Sequence, residues 1–281
     1  MAAGNVAAAG RLDAPGHDRV SARGAAALRA TGRTGLPPAT RPGQWQHNLF
    51  LVAALLCASA ASPAQARRGD ADAPPARPSA AASERALQAS LKTALSRPAP
   101  ARAPPAAVDV LAFERDAMVT MREREAFIAH LAQQPGGAAP LEQAIRSGKL
   151  MGEFDRLLQR YGYSPRNLGD VLAAYLVICW EIVSESDSND EPAGQRAVRR
   201  QLAGPLAAVP AIARMSDAEK QAQAERTAYL TMVAASAYQE LKRGGDPGRL
   251  TDLQRNVRSS LLRSGIDLKQ LVLTEDGLVA R

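Results

Sequence analysis

Residues 168–183, LGDVLAAYLVICWEIV, place apolar side chains on nearly every side of a helix. Leu168, Val171, Leu172, Tyr175, Leu176, Ile178, Cys179, Ile182 and Val183 cover most of the circumference, and Asp170 and Glu181 are its two charges. A helix apolar all round has no face to turn to water, so other elements must enclose it. The expectation is an all-α fold, a small helical bundle around this central helix. Ser164 and Pro165 look like its N-cap and first helical position, and it should run to about Ser184.

Striped helices are available to surround it. In LMGEFDRLLQRYG, Leu150, Phe154, Leu157, Leu158 and Tyr161 recur at helical spacing, and Gly162 ends the run. Upstream, Met121, Ile128 and Leu131 share a face with Phe127 beside it, before the stop at Pro135-Gly136-Gly137. AGQRAVRRQLA should be helical and end near Pro205. Ser216 and Glu219 form a capping box for a helix reaching Arg243, with Tyr229, Met232, Val233 and Ala237 on one side. Gly244-Gly245 closes it, and Asp246-Pro247 opens a last helix with Leu250, Leu253, Val257 and Leu261 in line. No run alternates with period two for long enough to make a sheet; LKQLVLTEDGL adds at most one short extended piece.

Little here points to chemistry. A nucleophilic cysteine needs a nearby base and a setting that lowers its pKa. Cys179 sits between Ile178 and Trp180 on the most apolar helix, which reads as a small core residue. Beyond residue 66, His130 is the one histidine and Cys179 the one cysteine, too few for a Cys/His zinc site. No phosphate loop, dinucleotide fingerprint, nucleophile elbow or metalloprotease helix occurs, and no cofactor is expected. SESDSNDEPAG is rich in oxygen ligands, but its spacing departs from a calcium loop and it reads as a solvated loop. Arg122, Glu123, Arg124 and Glu125 read as a surface charge cluster. Asp170 and Glu181 are more informative, because a charge on an apolar helix needs a partner. Arg156, Arg160 and Arg226 are the cations considered, and with Tyr175 these two acids form the candidate functional polar cluster.

The net charge of +7 does not make this a nucleic-acid binder. Residues 1–66 hold six Arg against two Asp, and 67–106 seven basic against three acidic residues; 107–281 hold 22 basic and 23 acidic residues. The excess lies outside the segment expected to fold, where a nucleic-acid surface would have to be.

The N-terminal third reads as an address and a spacer. Residues 49–58 form an apolar run of ten, too short for a bilayer, which needs about 20 residues, and suited to a signal peptide. Ala64-Gln65-Ala66 supplies a small-x-small site, so residues 48–66 read as signal h- and c-regions with cleavage after Ala66. Acylation at Cys57 is disfavoured by Leu56 before it. Residues 1–47 are an extension long enough to suggest a mis-assigned start. Residues 67–106, rich in Pro, Ala and Arg, read as a disordered linker, with a marginal or loosely docked helix at 83–96 where Leu87, Leu91 and Leu95 repeat. Residues 107–281 are the helical domain.

The segments NLGDVLAAYLVICWEIVS, SDAEKQAQAERTAYL, GDPGRLTDLQRNVRSSL and GIDLKQLVLTEDGL together resemble a family of exported bacterial proteins known only as a domain of unknown function. The resemblance covers roughly residues 110–278. It implies an all-helical, signal-bearing protein and no activity. The expected function is therefore an exported, periplasmic, non-enzymatic binding or interaction module. Another periplasmic protein is the expected partner, with no nucleic acid and no stable membrane span in the mature form. The alternative is a carboxylate-dependent, hydrolase-type enzyme with its acids near Asp170 and Glu181.

Overall fold

A computed structural model describes residues 80–134 and 139–281. The extension, signal run, Cys57, Ala66 cleavage site, the 67–79 part of the linker and the Pro135-Gly136-Gly137 stop lie outside the described residues. Those described are mostly helical: α1 (Ala80–Leu95), α2 (Pro105–Leu111), α3 (Ala117–Ala132), α4 (Ala139–Arg146), α5 (Lys149–Arg160), α6 (Leu168–Ser184), α7 (Pro192–Ala207), α8 (Pro210–Ala213), α9 (Asp217–Gly244) and α10 (Pro247–Leu262). A hairpin follows, β1 (Leu271–Thr274) paired antiparallel with β2 (Gly277–Ala280), Leu273 opposite Leu278.

Helix α6 is the hub the apolar run predicts. All its residues except Tyr175 and Ser184 are buried, and Leu176, Val177, Ile178 and Ile182 are fully so. Helix α9 packs along it, and so do α7 and α10; α3 and α5 lean on α9. Phe127 of α3 stacks on Tyr229 of α9 at 4.8 Å between ring centres. The capping box at Ser216 and Glu219 forms, Gly245 closes α9 at φ 67°, and Asp246 accepts from the Arg249 amide to open α10.

Several boundaries differ from expectation. Asn167, not Ser164, caps α6: its Oδ1 accepts from the Asp170 amide at 3.1 Å while its Nδ2 donates to Val108 O at 2.8 Å. Ser164 and Pro165 stay outside the helix because the chain there is tied sideways, by the Ser164 amide on Asp170 and the Phe113 amide on Arg166 O. Pro205 lies inside α7 rather than ending it. It falls in the last turn, so the missing N–H breaks one bond and the helix needs only two more residues. Helix α1 is neither marginal nor loosely docked. Leu87, Leu91, Ala94 and Leu95 are buried, and the helix packs on α7 and α8. The packed body thus takes in residues from the stretch whose composition reads as linker. Met121 is exposed at 42%; the inner row of α3 is Val119, Glu123, Phe127 and Leu131.

The C-terminal piece is a hairpin, held by side chains more than by a sheet. Gln201 of α7 acts as a third strand: its Nε2 donates to Leu278 O (3.0 Å) and its Oε1 accepts from the Leu278 amide (3.1 Å). Trp180 Nε1 donates to Leu271 O at 3.2 Å. Two glycines permit this approach. A Cβ on Gly194 would meet Thr274 O at 2.7 Å, and one on Gly277 would meet Gln201 Oε1 at 2.5 Å.

Candidate functional site

Asp170 and Glu181 are eleven residues apart, so on a helix they fall within about 20° of one another on the same stripe. That stripe is covered by α7 and by residues 161–163. Helix α5 ends there in a Schellman turn, with Gly162 at φ 72° and bonds from the Gly162 amide to Gln159 O and the Tyr163 amide to Leu158 O. The turn aims Tyr163 inward, 4% exposed, with Tyr161 edge-on to it at 5.9 Å.

A string of polar groups runs along this seam. At one end Asp170, 2% exposed, accepts from Arg199 Nε at 2.6 Å and from the Ser164 amide at 2.7 Å. Tyr163 comes next, its hydroxyl donating to Gln195 O. Gln195 Nε2 donates to Ser188 O and Oγ, both at 2.9 Å. The Ser188 amide in turn donates to Glu181 Oε1 at 2.9 Å. Ser188 is fully buried, so the acidic loop is not simply solvated: its centre is plugged into the core. Tyr161 lies beside Ser188 and Glu181 with a buried hydroxyl that has no hydrogen-bond partner among the described residues.

The electrostatics differ along the string. Burial raises Asp170, opposed by the Ser164 amide and Arg199. Burial raises Glu181 to about 7; Ser188 opposes the shift and Asp187 adds to it. No ion pair reaches Glu181 among the described residues. Tyr161 and Tyr163 are pushed up mainly by burial.

Of the three candidate residues, Tyr175 does not join this string. It lies on another flank of α6, against Ser260 of α10 and Cys179, and burial raises its hydroxyl far above the ordinary range. Cys179 is 1% exposed and its thiol is pushed up to about 12 by burial, the opposite of an activated nucleophile. Nor do Asp170 and Glu181 make an acid–base pair. Eleven residues of helix separate them by about 16 Å, against the roughly 5–9.5 Å that glycoside-type chemistry uses. Of the cations named for them, Arg226 instead holds Glu123 at 3.0 Å, and Glu123 is itself buried rather than part of a surface cluster. Asp170's partner is Arg199, one α7 position that an α6-centred search does not reach.

A second buried knot joins α3 to α9. Glu225 Oε1 accepts from Thr120 Oγ1 (2.7 Å) and Gln221 Nε2 (2.9 Å), and Gln221 also bridges the Asp116 backbone. Gln221 and Glu225 extend the Tyr229–Met232 stripe backwards by two turns, a signal visible in the sequence once that stripe is followed to the helix start. No group of three or more metal-ligating side chains comes together among the described residues. None of their helices is long and apolar enough to cross a membrane.

No curated protein matches the chain, and no solved structure does. A family model matches residues 45–281, a longer span than the four resembling segments suggest. With that match over most of its length, the chain belongs to DUF6683, a family of unknown function.

Proposed function

We propose that this protein is an exported, non-enzymatic interaction module that works by docking. One surface feature supports the reading. Helix α10 and the turn after it form a shallow groove of about 190 Å³ where Leu262, 48% exposed, lies among Arg255, Arg258 and Lys269. An exposed leucine ringed by cations fits an acidic partner segment with one apolar anchor. The arginines are pre-oriented by Asp252 and Asp267 through exposed or partly exposed pairs, and such pairs are weak enough to exchange for a partner carboxylate. The polar groups of α6, by contrast, are committed to holding the chain's own turns.

The test is crosslinking from a photoreactive residue at position 262 in the native compartment. A single partner whose capture is lost in Leu262→Glu and Arg255→Glu, and kept in Met118→Glu on exposed α3, is the expected result. Capture indifferent to the groove substitutions would refute it. Export rests on the apolar run and Ala64-Gln65-Ala66, and the mature chain should begin at Arg67 on N-terminal sequencing.

A further inference from the structure

The loop between α6 and α7 combines features that do not suit a plain connector. It carries Glu185, Asp187, Asp190 and Glu191, all exposed, yet its central residue Ser188 is wholly buried. What receives Ser188 is a carboxyl group, Glu181, that is 5% exposed and has no ion pair among the described residues. The loop departs from α6 through Glu185 at φ 55°, a left-handed conformation uncommon for a residue other than glycine. That residue is steadied by Gln254 Nε2, which bonds Glu185 Oε1 at 3.0 Å and Ile182 O at 3.1 Å.

The Ser188 amide and hydroxyl favour a charge on Glu181, but its burial outweighs them and the other groups around it do not offset that burial. From the loop comes the acidic Asp187. From the end of α5 comes Tyr161, with Arg160 beside it; from α7, the neutral Gln195. From α9 comes Tyr238, whose buried hydroxyl has no hydrogen-bond partner among the described residues and whose ring lies 5.5 Å under Lys242. Glu181 also sits in the last turn of α6, where the helix dipole opposes negative charge. Ionised and enclosed, the carboxylate would lack a countercharge; with the loop open, water solvates it.

We infer that the 185–191 loop is a pH-released latch, held shut by the neutral Glu181 carboxyl through Ser188 and opened when that carboxyl ionises. The consequence is a segment of four acids freed above neutral pH and folded back below it. Because Gln254 also lines the α10 groove, opening the loop alters the rim of the surface proposed to dock a partner.

Hydrogen exchange at the Ser188 amide of the purified protein, corrected for intrinsic rates and followed from pH 5 to pH 9, tests this. Protection should fall on the order of a hundredfold as Glu181 ionises, since the open loop releases a carboxyl of ordinary acidity. In Glu181→Gln it should be flat, and the Asp170 amide should be flat in both proteins. Asp187→Asn, which leaves Glu181 in place, should move the midpoint to lower pH. A pH-independent Ser188 amide in the wild type, or an unchanged fall in Glu181→Gln, overturns the inference. These outcomes do not depend on whether a partner exists.

Discussion

The two ends of α6 solve one problem in two ways. Each buries a carboxyl group on the same stripe of the same helix. At the first turn Asp170 receives a guanidinium from α7, a backbone amide, and the favourable end of the helix dipole. At the last turn Glu181 receives only hydrogen bonds from Ser188, against the dipole and near Asp187. Burial raises both acids; the contrast lies in what opposes it, a guanidinium and a backbone amide at Asp170 and the Ser188 donors alone at Glu181. It also separates a permanent brace from a conditional one.

The contrast can be broken first at Asp170. Asp170→Ala strips a buried acceptor from Arg199 and Ser164 and should cost about 2–4 kcal/mol, the low side of a buried pair because Arg199 is one-third exposed. Chemical denaturation measures it, and a loss under 1 kcal/mol, read with the ~1 kcal/mol of an ordinary hydrogen bond, would make the brace ornamental. Asp170→Asn should cost less, since the Ser164 bond survives.

Glu181 sharpens the contrast through pH. Its raised value means the folded chain holds this proton more tightly than the unfolded chain. The contribution to stability is therefore complete below pH 4.5 and lost as pH rises to about 7. The loss should be on the order of 3 kcal/mol, from 1.36 kcal/mol per unit, and should vanish in Glu181→Gln. A wild type and variant with parallel pH–stability curves would contradict it. Smaller again, Ser188→Ala removes the hydroxyl that Gln195 uses and keeps the amide on Glu181, so about 1 kcal/mol is expected.

What the sequence disclosed follows the same division. Features set by neighbours three or four residues away were legible: the apolar wrap of α6, the stripe of α5, the capping box at Ser216 and the Asp246-Pro247 start. Features set across the fold were not. Arg199 and Ser188 reach the two acids from α7 and from a polar loop, and no local pattern marks either. Asn167 rather than Ser164 caps α6 because distant backbone at Val108 and Phe113 holds the preceding turn aside. Composition placed Leu87, Leu91 and Leu95 in a linker, because the apolar row of α7 and α8 that covers them lies more than 100 residues downstream. The hairpin depends on Gln201, whose amide stands in for a strand that the sequence lacks.

Both ends hang on one shaft, and Cys179 lies in its wall between them. Reaction of a Cys57→Ser form of the native protein, in which Cys179 is the single thiol, with an excess of a small disulfide reagent near pH 8 tests the enclosure of α6 most directly. Modification only at the rate of unfolding, with full reaction in denaturant, is predicted from a thiol 1% exposed and raised to about 12. Rapid modification of the folded protein would show that the helix faces water and would contradict the account.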